Sequence, residues 1–544
     1  MYKTLYAITL LFSSVGLFNF NANAQALPRT GALFNAQTIA NTPRKILLST
    51  RSLTSLPSSH TLEPYCPTAG DQGNTGTCVA YANAYGIATI LYAKTHEITD
   101  KAVIDKYAFS SSYLYEQIKD PTDKDCQMGS DPIMALLKMM DGGNPFMKTV
   151  ANQCNTIVTE AAKREAANYK ILDAAILFAA PGMMVDDLNV LNNDEMIAVT
   201  KKALLEGSPI STGWHIPKSF FHVKSDVWNV SSDDQLSDLK HNGHAMAVIG
   251  YDDNKYGGAF RILNSWGTGW ANRGLVWVKY SDFTKWCKLA IQVFADPFTP
   301  TPQEAKPTPP PPAPTPTPQP KPAPPAPKPT PPPPVEKKFS LSGNVYFKLN
   351  TGEDMPVNQT TTRNLMVDDD KAPAKEDLVA YTMANSYTSG TAFRFYIEVD
   401  KEAYIYAFAT DLSGKVNLIL PFDEMISTHV GANSTIAFPS DKKVVRLDQN
   451  KGTDYLMILY SAEKLDAKKI AADMNAMSGP FSDKIKKVLG KKLMDKSVIK
   501  YATDRVGFSA NGTATRNLSV TDDDAQTVYA GGTVVPLMVE IKHN

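Results

Sequence analysis

What the chain lacks already narrows its chemistry. It has no excess of either charge, since 55 Lys and Arg balance 55 Asp and Glu. Nothing in that balance draws it to nucleic acid or another polyanion. There is no Cys-x-x-Cys pair, and the eight histidines form no Cys/His ligand cluster, which argues against a zinc site. No cofactor is implied. Beyond the first two dozen residues, no stretch is long and apolar enough to span a bilayer. Cysteine is scarce, with five in 544 residues. Proline is not scarce: there are 38, many of them in one place.

The length implies two or more domains. Lys3 precedes an apolar run from Leu5 to Phe18, followed by Ala22-Asn23-Ala24. A basic start, a short apolar core and an A-x-A site read as a signal peptide over residues 1–24, with Gln25 as the first mature residue. The expected location is therefore outside the cytoplasm: periplasmic, cell-surface or secreted. No lipid-accepting Cys lies near the cleavage site. Residues 25–55 are polar and pattern-poor, and read as either a short pro-segment or a flexible lead-in. Residues 299–336 are dominated by Pro with Ala, Thr and Lys. Such a run favours polyproline II and acts as a semi-rigid spacer, able to hold two domains up to roughly 110 Å apart. Residues 337–544 are rich in strand signals, among them Phe393–Val399, Ala403–Phe408 and Asp454–Tyr460. Two helical stretches interrupt them, Ala467–Met477 and Phe481–Leu493.

The chemistry gathers around Asp71-Gln72-Gly73-Asn74-Thr75-Gly76-Thr77-Cys78. From Val79 to about His96 the chain turns Ala-rich and apolar and reads as a helix. Cys78 is thereby placed at a helix N-terminus, where free N–H groups and the dipole favour a thiolate. Farther on come Gly243-His244-Ala245, leading into Gly250-Tyr251, and Asn264-Ser265-Trp266-Gly267. Cys, then His, then Asn is the chain order of papain-type thiol peptidases, here with separations somewhat longer than the usual ~130–150 residues. His241, the competitor of His244, lacks the preceding Gly and the following Ala.

On these three motifs residues 56–298 resemble a papain-like (C1-type) cysteine peptidase of a divergent bacterial kind. The fold implied is α+β, with a helical half, a β-barrel-like half and a cleft between them. The Pro-rich linker would join this domain to a mainly β accessory domain. The resemblance puts Gln72, Cys78, His244 and Asn264 in the four active-site positions. Cys78 would be the nucleophile and His244 its imidazolium partner, with Asn264 orienting the ring under the cover of Trp266. The Gln72 side-chain amide and the Cys78 N–H would form the oxyanion hole. Relatives carry a Cys just before the nucleophile, where this chain has Thr75, so that bridge is absent. The expected replacements are Cys126 with Cys154 and Cys66 with Cys287, leaving Cys78 as the one free thiol. Relatives also show Cys-x-Gly-Gly near the cleft, and Ser130 departs from that pattern after Gly129.

The C-terminal block resembles a domain of unknown function found on exported bacterial peptidases, by Tyr404-Ile405-Tyr406, Leu420-Pro421 and Tyr455-Leu456-Met457-Ile458. An internal echo, Thr361–Val367 before Asp368-Asp369-Asp370 and Ala514–Val520 before Asp522-Asp523-Asp524, lacks EF-hand spacing and reads as strand pairs ending in acidic turns. The function expected is hydrolysis of peptide bonds in protein or peptide substrates through a thioester. A thiol amidase or acyltransferase acting on cell-wall peptides is the alternative, and a non-catalytic binding protein the third reading. The C-terminal domain is expected to fold and melt independently and to dock to a cell-surface or protein partner.

Overall fold

A computed structural model of the chain describes residues 28–46, 48–180, 191–235, 243–301, 335–361, 378–410, 414–516 and 527–544. The signal peptide, His241, most of the Pro-rich run and the acidic repeats lie outside the described residues. Among those residues no helix is long and apolar enough to cross a membrane.

One helical run spans Cys78 to Thr95, with a π-helical middle from Tyr81 to Ala88. Small side chains at Ala80, Ala82, Ala84, Gly86 and Ala88 let other elements approach it closely. Two further helices flank it, Ser111–Ile118 and Pro132–Asp141. Each starts where a side chain satisfies a free amide: Ser110 Oγ accepts from Tyr113 N–H at 3.2 Å, and Asp131 Oδ1 from Ile133 N–H at 2.7 Å. The second ends at Gly142, ahead of Gly143 with φ +67°. Against this layer lies an antiparallel sheet in the order Ile171–Ala179, Cys287–Ala295, Ile210–His215, Gly243–Asp252, Ala259–Leu263, Leu275–Lys279. The helix Asn193–Leu205, opened by a capping box of Asn192 and Glu195, covers part of the sheet. One apolar core joins the helical and β halves.

The C-terminal region holds two seven-stranded sheets. Their facing sides form a core of Leu341, Val345, Phe395, Ile397, Ile405, Ile458 and Val539, among others. The helices Ala467–Asn475 and Phe481–Leu489 cover the outer side of one sheet through a second core containing Phe408, Met457, Met474 and Ile485. The acidic repeats follow Val357–Thr361, which pairs antiparallel with Val379–Met383, and Val506–Arg516, which pairs antiparallel with Thr527–Ala530.

Two expectations are corrected. The halves do not stand apart. The two-residue strand Arg44–Lys45 runs parallel to Ile176 of the first sheet on one side and to Ile426–Ser427 of the C-terminal region on the other. The larger sheet thus continues from one region into the other. The second correction concerns the thiols. Cys126 and Cys154 are joined, with Cα atoms 5.9 Å apart. Cys66 and Cys287 are not joined, and both are free and buried. Cys66 Sγ donates to the Leu62 carbonyl at 3.5 Å and Cys287 Sγ to that of Leu289 at 3.4 Å. Each behaves as a small apolar residue with a local partner, so counting cysteines by parity misled.

Candidate active site

Cys78 is the first residue of its helix, with Thr77 at the N-cap, and is fully buried. The backbone amides of Ala245, Gly31, Val79 and Cys78 itself are directed at its sulfur. The Ala245 contact places the thiol beside the strand residue that follows His244. His244 Nε2 lies 2.8 Å from Asn264 Oδ1, and that oxygen also accepts from the Ser265 amide at 2.8 Å. Asn264 is itself fixed by its N–H donating to the Gly274 carbonyl at 3.0 Å. Trp266 stacks on the His244 ring at 4.7 Å between centroids and is backed by Phe221 at 5.2 Å. His244 Nδ1 is buried and has no protein hydrogen-bond partner. The Asn264 bond occupies Nε2 and so leaves Nδ1 as the nitrogen free for proton transfer.

Gln72 is held from both ends. Its N–H donates to the Ser265 carbonyl at 2.9 Å, and its Oε1 accepts from Ser265 Oγ at 2.6 Å. The two carbonyls at the other end, which can only accept, fix which end of the side chain is the amide nitrogen. That Nε2 donates to the carbonyls of Thr75 at 2.7 Å and Arg29 at 3.0 Å. In this state the amide expected to hold an oxyanion is taken up by Arg29.

Arg29 belongs to a strap that crosses the site. The Ser130 amide donates to the Gly31 carbonyl at 2.8 Å, the Leu33 amide to the Ser130 carbonyl at 3.0 Å, and the Ala32 amide to the Gly243 carbonyl at 2.9 Å. The approach is so close that a Cβ on Gly243 would collide with the Ala32 carbonyl, and one on Gly129 with that of Gly31. Gly129 also needs its φ of +82°. Ser130 pairs with the strap through its backbone, while its hydroxyl is buried without a partner. The ring of Phe34 sits over Gly213 and meets the His215 ring edge-on at 5.4 Å. A short helix, Ala36–Ala40, then buries Ile39 in the core, while Thr38 Oγ1 donates to Asp131 Oδ2 at 2.6 Å.

Burial changes the electrostatics expected of the site. Burial pushes the Cys78 thiol up to about 11, despite the four amides that favour its thiolate. Burial likewise pushes His244 down to about 4, against the opposing effect of the Asn264 bond. Near neutral pH the strapped pair is a neutral thiol and a neutral imidazole, not the expected ion pair. Desolvation outweighs the helix terminus.

Residues 149–296 match the model of the papain family cysteine protease. The chain carries a papain-family segment over those residues. The matched segment contains His244 and Asn264, whereas Cys78 and Gln72 precede it. Residues 386–464 match a domain of unknown function, DUF4384. The protease is thus a hydrolase with a mainly β C-terminal region carrying that domain. Among solved structures it is similar to xylellain, a cysteine protease from Xylella fastidiosa, at 18% identity and TM-score 0.38, covering 50% of this chain and 97% of that one. Procathepsin B S9 from Trypanosoma congolense is similar at 16% identity and TM-score 0.35, covering 50% and 88%. Procathepsin L 3 of Tenebrio molitor larval midgut is similar at 12% identity and TM-score 0.34, covering 49% and 83%. No curated protein matches the chain.

The structure ties His244 to Asn264, Gln72 to Ser265 beside Asn264, and Cys78 to Ala245 beside His244. Sequence reasoning missed Ser265, which orients Gln72, and the strap. Arg29-Thr30-Gly31-Ala32-Leu33-Phe34 has no periodicity, and its contacts are made mostly through backbone. The pairing of an aromatic Phe34 with the side-chain-free Gly213 was the one signal available.

Proposed function

We propose that this protease is exported and acts on peptide bonds through Cys78, His244 and Asn264, and that the form described here is its latent precursor. The observation that carries this reading is the convergence of three elements. The sulfur of a Cys on the first turn of a helix lies by the amide that follows a His, and the outer nitrogen of that His is tied to an Asn. With the strap gone, water and substrate reach the cleft, and the burial that keeps Cys78 and His244 neutral is relieved. His244 then takes the Cys78 proton, and the sulfur forms a bond to the substrate carbonyl carbon. Gln72 Nε2, freed from Arg29, and the Cys78 N–H hold the oxyanion, each donor being worth ~10²–10³ in rate. His244 returns the proton to the leaving amine as the C–N bond breaks. Water then cleaves the thioester and regenerates the thiol. Asn264 keeps the ring turned so that Nδ1 does this work.

While the strap is bound, the group it offers the sulfur is the Gly31 N–H, a donor and not an electrophile. A peptide-library digest by the leader-free protein, with Cys78→Ala as control, tests the proposal. Internal cleavages lost in the variant are expected; amide release without peptide cleavage would replace it with a thiol amidase.

A further inference from the structure

The strap is the first half of a longer leader, and the second half does not touch the cleft. From Arg44 onward the leader lies between the protease and the C-terminal sandwich. The Arg44 amide donates to the Met425 carbonyl at 2.6 Å, and the Ile176 amide to the Pro43 carbonyl at 2.9 Å, so one short strand joins the two regions. Ile46 is 5% exposed and forms part of the sandwich core with Ile426, Val430 and Ile436, and Leu48 packs against the same core. The Ser49 amide donates to the Thr435 carbonyl at 2.8 Å, and the Thr435 amide to Ser52 Oγ at 2.8 Å. Thr50 gives both its N–H and its hydroxyl to Asp441 Oδ2, at 2.5 and 2.8 Å.

Beside this seam lies an ion cluster that uses all three parts. Glu206 of the protease, with its side chain 2% exposed, pairs with leader Lys45 at 3.0 Å and with Lys202 at 3.2 Å. It also accepts from Gln292 Nε2 at 2.7 Å and from Ser434 Oγ of the sandwich at 3.1 Å. Lys202 Nζ reaches the Ala432 carbonyl at 2.8 Å, and a Cβ on Gly431 would strike the Glu206 side chain. Farther along, Arg516 pairs with Asp296, and Phe294 packs on His429 at 4.0 Å.

The strap itself is thin. It makes a handful of backbone hydrogen bonds, each of small net worth, and must be held against its conformational entropy. Fixing its downstream end removes much of that entropy. We propose that the C-terminal sandwich is the clamp of an intramolecular inhibitor: by gripping residues 44–46 and 48–52 it keeps residues 29–34 across the cleft. The partner of this face of the accessory domain is the leader of its own chain. Cutting the leader between Asn41 and Pro43, or loosening the seam, frees the strap.

The inference rests on the cleft being the peptidase site, and its test is independent of turnover. In the full-length protein, native alkylation of Cys78 by iodoacetamide is followed by peptide mapping. Ile46→Asp, which alters only the leader's anchor in the sandwich, should speed alkylation by about tenfold or more, equivalent to ~1.4 kcal/mol in the opening equilibrium. Phe34→Asp, in the strap itself, should do the same, and Asp441→Ala should give a smaller rise of about two- to threefold. Cys66 and Cys287 remain slow if the protease core stays folded, which separates opening from unfolding. Should Ile46→Asp unfold the core, Asp441→Ala alone decides. A rise with Phe34→Asp but none with Ile46→Asp or Asp441→Ala overturns the clamp. So does a wild-type Cys78 that is as reactive as in the leader-free protein. Absence of peptide cleavage, with the alkylation pattern as expected, would sink only the catalytic reading.

Discussion

The protease and the sandwich place their unpaired buried polar groups differently: His429 Nδ1 and Arg516 Nε of the sandwich lie at the seam, away from its core tyrosines. In the sandwich, Tyr381 donates toward the carbonyls of Ala502 and Gly507, and Tyr460 toward those of Asn344 and Glu398. Tyr406 Oη there accepts from the Leu465 amide at 2.7 Å. At the cleft, His244 Nδ1, Asn264 Nδ2 and Trp266 Nε1 are buried without a protein partner. An unpaired buried group costs ~1–3 kcal/mol, so three at one spot mark a place built for something other than stability. Burial patterns differ in the same sense. Ala392–Val399 alternates buried and partly exposed residues, whereas Gly243–Asp252 is buried along nearly its whole length. The first strand has one covered face; the second has two, and carries the imidazole inward.

Removing the group on which chemistry depends should give the largest effect. In the leader-free enzyme, Cys78→Ala should lower kcat by about 10⁵-fold or more, as loss of a nucleophile does, with His244→Ala nearly as severe. Steady-state kinetics on a fluorogenic peptide measures both. Near-full activity of Cys78→Ala would remove the contrast between the two regions.

Next in size is the seam. Glu206→Ala strands Lys45 and Lys202, and stranding a buried charge costs ~3–5 kcal/mol. Calorimetry of the full chain should then show the two regions melting apart, where the wild type melts as one unit. A single unchanged transition in the variant would mean the cluster does not couple them.

The pH dependence of the closed strap follows from three groups. His244 falls from 6.5 to about 4 when buried, so the closed state binds fewer protons and loses stability as pH drops from 6.5 toward 4. Cys78 rises from 9.0 to about 11, so the closed state binds more protons and loses stability as pH climbs from 9 toward 11. Burial disfavours the Glu206 carboxylate, but Lys45 and Lys202 prevail and hold it at about 2, down from 4.5, so its contribution fades between pH 4.5 and 2. The strap should therefore be tightest between pH 6.5 and 9, with up to ~3 kcal/mol lost at either extreme. Hydrogen exchange at the Ala32 and Leu33 amides, corrected for intrinsic rates, reads this directly. Flat protection from pH 5 to 9 would contradict it.

The smallest effect lies within the sandwich. Tyr460→Phe removes one satisfied hydroxyl and should cost about 1 kcal/mol in thermal stability, with no change in peptide cleavage.

Much of this was legible in the sequence where side chains carry the signal. The Cys, His and Asn motifs named their own chemistry, and the helix starts at Ser110, Asp131 and Asn192 are written in capping residues. The strap was not legible, because Gly31, Ala32, Ser130 and Gly243 act through backbone groups that any residue possesses. Nor was the seam. Lys45 looked like one more charge in a polar lead-in, and Glu206 like the end of a helix. Only the approach of Gly431 and Ser434, more than 200 positions away, turns them into a junction. The Pro-rich run suggested separation because composition describes a tether and says nothing of whether its ends meet.

The strand Arg44–Lys45 also sets an order in time. Its inner neighbour, Ile176, is made early and its outer neighbour, Ile426, late. The sheet of the protease is complete by Ala295, but the pairing that fixes the leader waits for another 130 or so positions (426 − 295 = 131). At ~5–20 residues per second of synthesis, that interval is on the order of ten seconds. A chain interrupted before Ile426 would carry a complete cleft under an unfastened strap. Fastening of the leader therefore waits until the strand Ile426–Ser427 has been made.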